Sequence, residues 1–177
     1  MENRIGFGPR LGAFLLDVLL IAVISVILIV VFGVGGASAG AAAGPEDEMD
    51  AAIGAIGGFM GGIMASLIVI YIVGAVWYLL EGLIGATIGK MIVGIKIGKD
   101  DGTKAGTGKL LLRYALKNIS YLMGILALIT GASVINTLGG LAGLVIFIGC
   151  FLVLGAKKQA IHDMLAKTAV YKKANLK

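Results

Sequence analysis

Two kinds of pattern alternate along the chain. From Leu11 to Val34 nearly every position is apolar, and at ~1.5 Å per residue the run is ~36 Å long, enough for a ~30 Å hydrocarbon core with some tilt. A second apolar run, AAIGAIGGFMGGIMASLIVIYIVGAVWYLL, extends from Ala51 to Leu80 and ends in Trp77 and Tyr78, where an interfacial aromatic belt would sit. These runs predict membrane spans over residues 11–34 and 53–80. The stretch between them, GVGGASAGAAAGPEDEMD, reads as a break: Pro45 and the glycines end the helix, and Glu46, Asp47, Glu48 and Asp50 mark an acidic outer loop over 35–52.

Residues 81–118 are mixed in character. IKIGKDDGTKA alternates polar and apolar positions around Asp101-Gly102, a dipeptide suited to a tight hairpin turn. GKLLLRYALKNIS then sets Lys109, Arg113 and Lys117 at i, i+4 and i+8, one face of a helix lying at a membrane surface. The last apolar run, Ile119 to Ala156, would be ~57 Å as one helix, about twice what a bilayer needs. Asn136-Thr137-Leu138-Gly139-Gly140 offers a break, giving spans over 119–135 and 138–155 and a tail over 156–177.

Every Lys and Arg lies before Leu11, between Lys90 and Lys117, or from Lys157 onward, and the loop between the first two spans has none. The positive-inside rule places all three basic stretches in the cytoplasm, which requires an even number of crossings. The expected fold is an all-α membrane protein of four transmembrane helices with both termini cytoplasmic, a short cytoplasmic hairpin and an interfacial amphipathic helix, in one domain over 1–177.

Composition agrees. Of 177 residues 59% are hydrophobic and 14% charged, with a mean hydropathy of +1.02, against ~25% charged in ordinary soluble domains. The 29 glycines read as close helix packing. Arg4 and Arg10 before the first run, with Ala37-Ser38-Ala39 after it, imitate a secretory signal, but the run is too long and carries Asp17, so it is read as a retained span. One cysteine, Cys150, and one histidine, His162, supply neither a disulfide nor a zinc or haem ligand set, and no cofactor is expected. The net charge of +5 points to anionic phospholipids rather than nucleic acid, given where the bases lie.

The chemistry-bearing residues are few. Asp17 is an acid within a span, either an ion or proton site or a buried polar latch. Arg10, seven residues earlier, shares its helix face at ~10 Å axial separation and reaches the headgroups by snorkelling. Glu81 is either a solvated terminal residue or a counter-charge to Arg10, Lys90 or Arg113. Asp163, beside His162 in QAIHDMLAKTAVYKK, would clamp Arg10 or Arg113, or else lie on the surface of a helix through that stretch. Gly54, Gly58 and Gly62, extended by Ser66, repeat at intervals of four and form a groove for another helix, in this chain or in a second copy. GATIGKM, Gly85 to Met91, fails as a phosphate-binding loop on spacing and on Met91; its glycines read as a tight turn or as close packing at the cytoplasmic interface, with Lys90 meeting a carboxylate or lipid phosphate. No nucleophile–base pair stands out, so an enzyme is not expected.

Taken together, RLGAFLLD, GATIGKMIVGIKI followed by DDG and LLR, and the late QAIHDMLAKT resemble the RDD family of bacterial and archaeal membrane proteins, over nearly the whole chain. That family is named for one arginine and two aspartates, which fall here on Arg10, Asp17 and Asp163. The resemblance implies a transporter, some members being implicated in sodium/proton antiport. The expected function is therefore cation/proton exchange in a prokaryotic cytoplasmic membrane, with monovalent cations and protons competing for Asp17, Asp163 gating by ion pairing, and two or more subunits around the pathway. The rival is a non-transporting scaffold that binds a partner protein or lipid, in which Arg10, Asp17 and Asp163 form a structural polar clasp.

Overall fold

The two longest apolar runs become the two longest helices, α1 (Phe7–Ala43) and α2 (Glu48–Ile84), in a computed structural model that describes residues 3–43 and 47–176. Pro45 and Glu46 of the expected outer loop lie outside the described residues. After α2 come α3 (Ile88–Val93), β1 (Ile95–Lys99), α4 (Thr107–Lys117), α5 (Ile119–Thr130), α6 (Ser133–Cys150) with a 3-10 turn over Phe151–Leu154, α7 (Ile161–Leu165) and β2 (Thr168–Lys172). By length and composition α1, α2 and Ser133–Leu154 are each able to cross a membrane. The α4–α5 pair qualifies as a fourth span only if counted as one helix bent by 75°. The protein is mostly helical, with three to four candidate spans.

The chain divides into two compact units, one of Leu16–Trp77 and one of Met1–Leu15 with Tyr78–Lys177. In the first unit the Gly/Ala stretch expected as loop is helical: α1 runs on to Ala43 and α2 begins at Glu48. The reason is long-range packing. A Cβ on Gly36 would lie 2.1 Å from the Gly58 carbonyl oxygen, and one on Gly40 would lie 2.0 Å from that of Gly54. Gly62 meets the Phe32 backbone in the same way, and Ser66, fully buried, turns its hydroxyl to the Ile63 carbonyl at 2.6 Å. Two helices whose backbones touch need glycine at each crossing, so these glycines belong inside the helices. The row Gly54, Gly58, Gly62 is thus occupied by α1 of the same chain. The opening of α2 is fixed by Asp47, whose Oδ1 accepts the Asp50 N–H at 2.8 Å.

In the second unit the break in the last apolar run falls earlier than expected. Gly131, left-handed at φ 69°, closes α5, and residues 136–140 lie within α6. Gly139 and Gly143 are contact points rather than breakers: a Cβ on either would come within 2.7 Å of Met123 or Ser120 of α5. The turn at Asp101-Gly102 forms, with Lys99 N–H to Thr103 C=O at 2.8 Å, but only the isolated bridge Gly98↔Lys104 follows it. The partner of β1 is instead the distant β2, antiparallel, in the register Ile97↔Val170. Consequently the expected helix through QAIHDMLAKTAVYKK is confined to five residues, and TAVYK is strand. Ile5 adds to this edge by donating to the Val170 carbonyl at 2.8 Å. Ile5, Ala13, Ile95, Ile97, Leu110 and Val170 form a small buried core beneath.

Candidate functional site

Glu81 and Asp163, both fully buried, organise the second unit. Four cations converge on these two carboxylates, and each reaches its place through local structure. Gly85, left-handed at φ 78°, turns the chain out of α2. Thr87 caps α3 by accepting the Lys90 N–H, and Gly94, left-handed at φ 75°, closes it. The short helix so formed sends the Lys90 ammonium back to Glu81 Oε1 at 2.7 Å. From α4, Lys117 donates to Glu81 Oε2 at 2.8 Å and lies over the Tyr78 ring, 5.6 Å from its centroid.

Arg113 joins the two acids. Its Nη1 donates to Glu81 Oε1, its Nε donates to Asp163 Oδ1 at 2.6 Å, and the residue is 3% exposed. The basic stripe of α4 therefore does not lie wholly in the headgroups: Arg113 points inward, while Leu111 and Leu112 are exposed. A buried guanidinium needs two carboxylates to offset its desolvation, and α2 and α7 supply one each.

Asp163 Oδ2 accepts from Arg10 Nη1 at 2.5 Å and from the Ala160 N–H, which it caps at the start of α7, at 3.2 Å. Arg10 also donates to the carbonyls of Ile5 at 3.2 Å and Lys158 at 2.9 Å. Below it, Gln159 bridges Arg4 Nη1 at 2.8 Å and the Thr168 carbonyl at 2.7 Å, tying α7 to the strand. Burial alone would raise the Asp163 carboxyl, but the guanidinium of Arg113, then that of Arg10, holds it well below the usual carboxylate range. For Lys90, burial is the largest influence and pushes the ammonium down to about 7 against the pull of Glu81, with Arg113 and Lys117 adding to the push.

His162 completes the cluster. Arg113 Nη2 lies 3.2 Å from its Nε2, and a guanidinium has no acceptor, so Nε2 takes the hydrogen bond and the imidazole proton belongs on Nδ1. Nδ1 is buried and has no hydrogen-bond partner among the described residues. Burial, reinforced by Arg113, pushes this imidazole down to about 3, so the ring is neutral at physiological pH.

In the Leu16–Trp77 unit, Asp17 is 2% exposed and its Oδ1 accepts the Trp77 indole N–H at 2.8 Å. Of the residues singled out in the sequence, the structure brings Arg10, Glu81, Lys90, Arg113, His162 and Asp163 into one network and places Asp17 with Trp77. Lys117 and Trp77 were missed as site residues. Lys117 carries a signal in the sequence, four residues from Arg113 on the same face; Trp77 reads there only as an interfacial aromatic. Among the described residues no group of three or more His, Cys, Asp or Glu side chains is placed to hold a metal ion.

The two aspartates that name a family are thus buried and the arginine half-buried, all three bonded, in a chain with three to four candidate spans. The model of the RDD family matches residues 4–167. The chain belongs to the RDD family. No curated protein and no solved structure matches it. In this RDD protein the matched segment contains both acids of the buried network, Asp17, and the four cations that surround the network.

Proposed function

We propose that this RDD protein is a membrane transport protein in which Asp17 is the exchangeable ion or proton site, and that cation/proton exchange is its activity. The observation that supports the reading is Asp17 itself: an acid 2% exposed within a long apolar helix, its Oδ1 accepting the Trp77 indole N–H. Glu81 and Asp163 serve differently. Each of their four oxygens already meets a lysine or arginine, so a mobile cation would have to displace a bonded guanidinium or ammonium to reach them. We assign that network the role of a clasp that fixes its own unit.

The positions of the bases support a prokaryotic cytoplasmic membrane with both termini inside. A second copy remains part of the proposal because few helices make a thin wall, but the glycine row no longer argues for it. The saturated clasp favours the rival reading, a scaffold that moves nothing. Sealed liposomes with a pH gradient separate the two. A carrier dissipates the gradient on addition of sodium, lithium or potassium, and Asp17→Asn abolishes this while the protein stays folded; a scaffold leaves the gradient intact.

A further inference from the structure

The network is unbalanced in charge. Among the described residues Arg10, Lys90, Arg113 and Lys117 pair with no acids but Glu81 and Asp163, and the neutral His162 adds nothing, so basic groups outnumber carboxylates by two in a largely buried site. The excess is concentrated at Glu81, which alone receives three of the cations. We propose that Lys90 and Lys117, on either oxygen of Glu81, bind the phosphate group of an anionic phospholipid.

Three observations converge. Each ammonium has three donors, and among the described residues Glu81 is the one hydrogen-bond acceptor either finds, so both keep N–H groups for a further oxyanion. The two sit on opposite oxygens of one carboxylate, at 2.7 and 2.8 Å, and a lysine binds phosphate as a point charge without needing a fixed fork. Access exists on the Lys117 side, where the side chain is 33% exposed, while Lys90 is 11% exposed behind it. Burial, then Arg113 and Lys117, lower the proton affinity of Lys90, and an oxyanion beside the ammonium would offset these two like charges.

The surroundings select a lipid over free phosphate. Leu83 and Ile84 at the end of α2, Met91 and Ile92 on α3, and Leu112 on α4 are all exposed, on the three elements that carry Glu81, Lys90 and Lys117. Exposed apolar side chains on the elements that carry a cationic pair suit a headgroup with acyl chains attached, and basic segments at a cytoplasmic leaflet meet anionic lipid at high local concentration.

The test is native mass spectrometry of the full chain released from nanodiscs holding equal parts phosphatidylglycerol and phosphatidylcholine. The wild type retains phosphatidylglycerol in preference. Lys117→Gln lowers that preference about tenfold, the loss of one charge-assisted contact, and Lys90→Gln with Lys117→Gln removes it. Lys173→Gln, at an exposed site, leaves it unchanged, and Lys117→Arg keeps it, which guards against a folding artefact. Equal retention of both lipids by the wild type overturns the proposal, as does an undiminished preference in the double variant. Displacement of the bound lipid by millimolar inorganic phosphate also overturns it, by making the site one for soluble anions.

Discussion

Arg113 donates its Nε–H to Asp163 at 2.6 Å across fifty positions of sequence, and the two are the hinge of a closed charge network. Asp163 also holds Arg10 and the α7 cap; Arg113 also holds Glu81 and His162. Neither side chain reaches solvent enough to exchange its partner for water.

Asp163→Ala leaves the part-buried Arg10 without a carboxylate and the buried Arg113 with Glu81 alone, and unpairing a buried ion typically costs ~3–5 kcal/mol. The expected result is a large fall in thermal midpoint in detergent, or loss of folded protein. The Asp163 carboxyl is held below its unfolded value, so its contribution is present above the ordinary carboxylate range and is lost only as pH falls through the depressed folded value. The clasp should therefore survive at pH values where exposed carboxylates have begun to protonate. Thermal midpoints against pH for wild type and Asp163→Asn check this.

Lys90 gives the opposite window. Its folded value of about 7 lies below the unfolded 10.5, so the unfolded chain binds more protons between them and stability rises with pH through that interval. Lys90→Met should flatten this rise and leave the midpoint higher than wild type below neutral pH. A wild-type profile flat from neutral to alkaline pH contradicts it.

Gly58→Ala drives a Cβ to 2.0 Å from the Gly36 carbonyl oxygen, a backbone contact that cannot yield. The cost should reach or exceed the upper end of the ~1–3 kcal/mol typical of overpacking. Gly57, one position away, meets nothing within 4 Å, and Gly57→Ala should stabilise by roughly 0.5–1 kcal/mol through helix propensity. Thermal midpoints of the pair test whether α1 and α2 touch at these glycines.

The long helices were legible in the sequence because an apolar run of sufficient length in lipid has few alternatives. Their ends were not. Whether Gly36, Gly40, Gly139 and Gly143 break a helix or let another one approach depends on what lies opposite, and that information is far away in the chain. The same holds for Arg113: its spacing with Lys109 and Lys117 describes a charged face, but which way the face turns depends on Glu81 and Asp163, 32 and 50 positions away. Asp163 and Glu81 were recognisable as acids among bases, whereas the β1–β2 pairing that orients α7 has no local signature, since the Asp101-Gly102 turn points to a different partner.

Trp77 is the chain's only tryptophan, so its emission reports on Asp17 without labelling. Asp17→Asn, which replaces a carboxyl acceptor by an amide, should shift that emission. Trp77→Phe, which deletes the donor and keeps an aromatic ring, should lower stability by about 1–3 kcal/mol, the cost of a lost hydrogen bond to a buried polar group. An unshifted spectrum in Asp17→Asn contradicts the contact.

The central claim is that the Asp17 carboxylate is the group a moving ion occupies. Its most direct test is the rate at which added sodium, lithium or potassium collapses a pH gradient across liposomes carrying equal amounts of folded wild type or Asp17→Asn. The account predicts cation-dependent collapse by the wild type and none above protein-free vesicles by the variant. Equal rates for the two proteins, or no collapse by either, would contradict it.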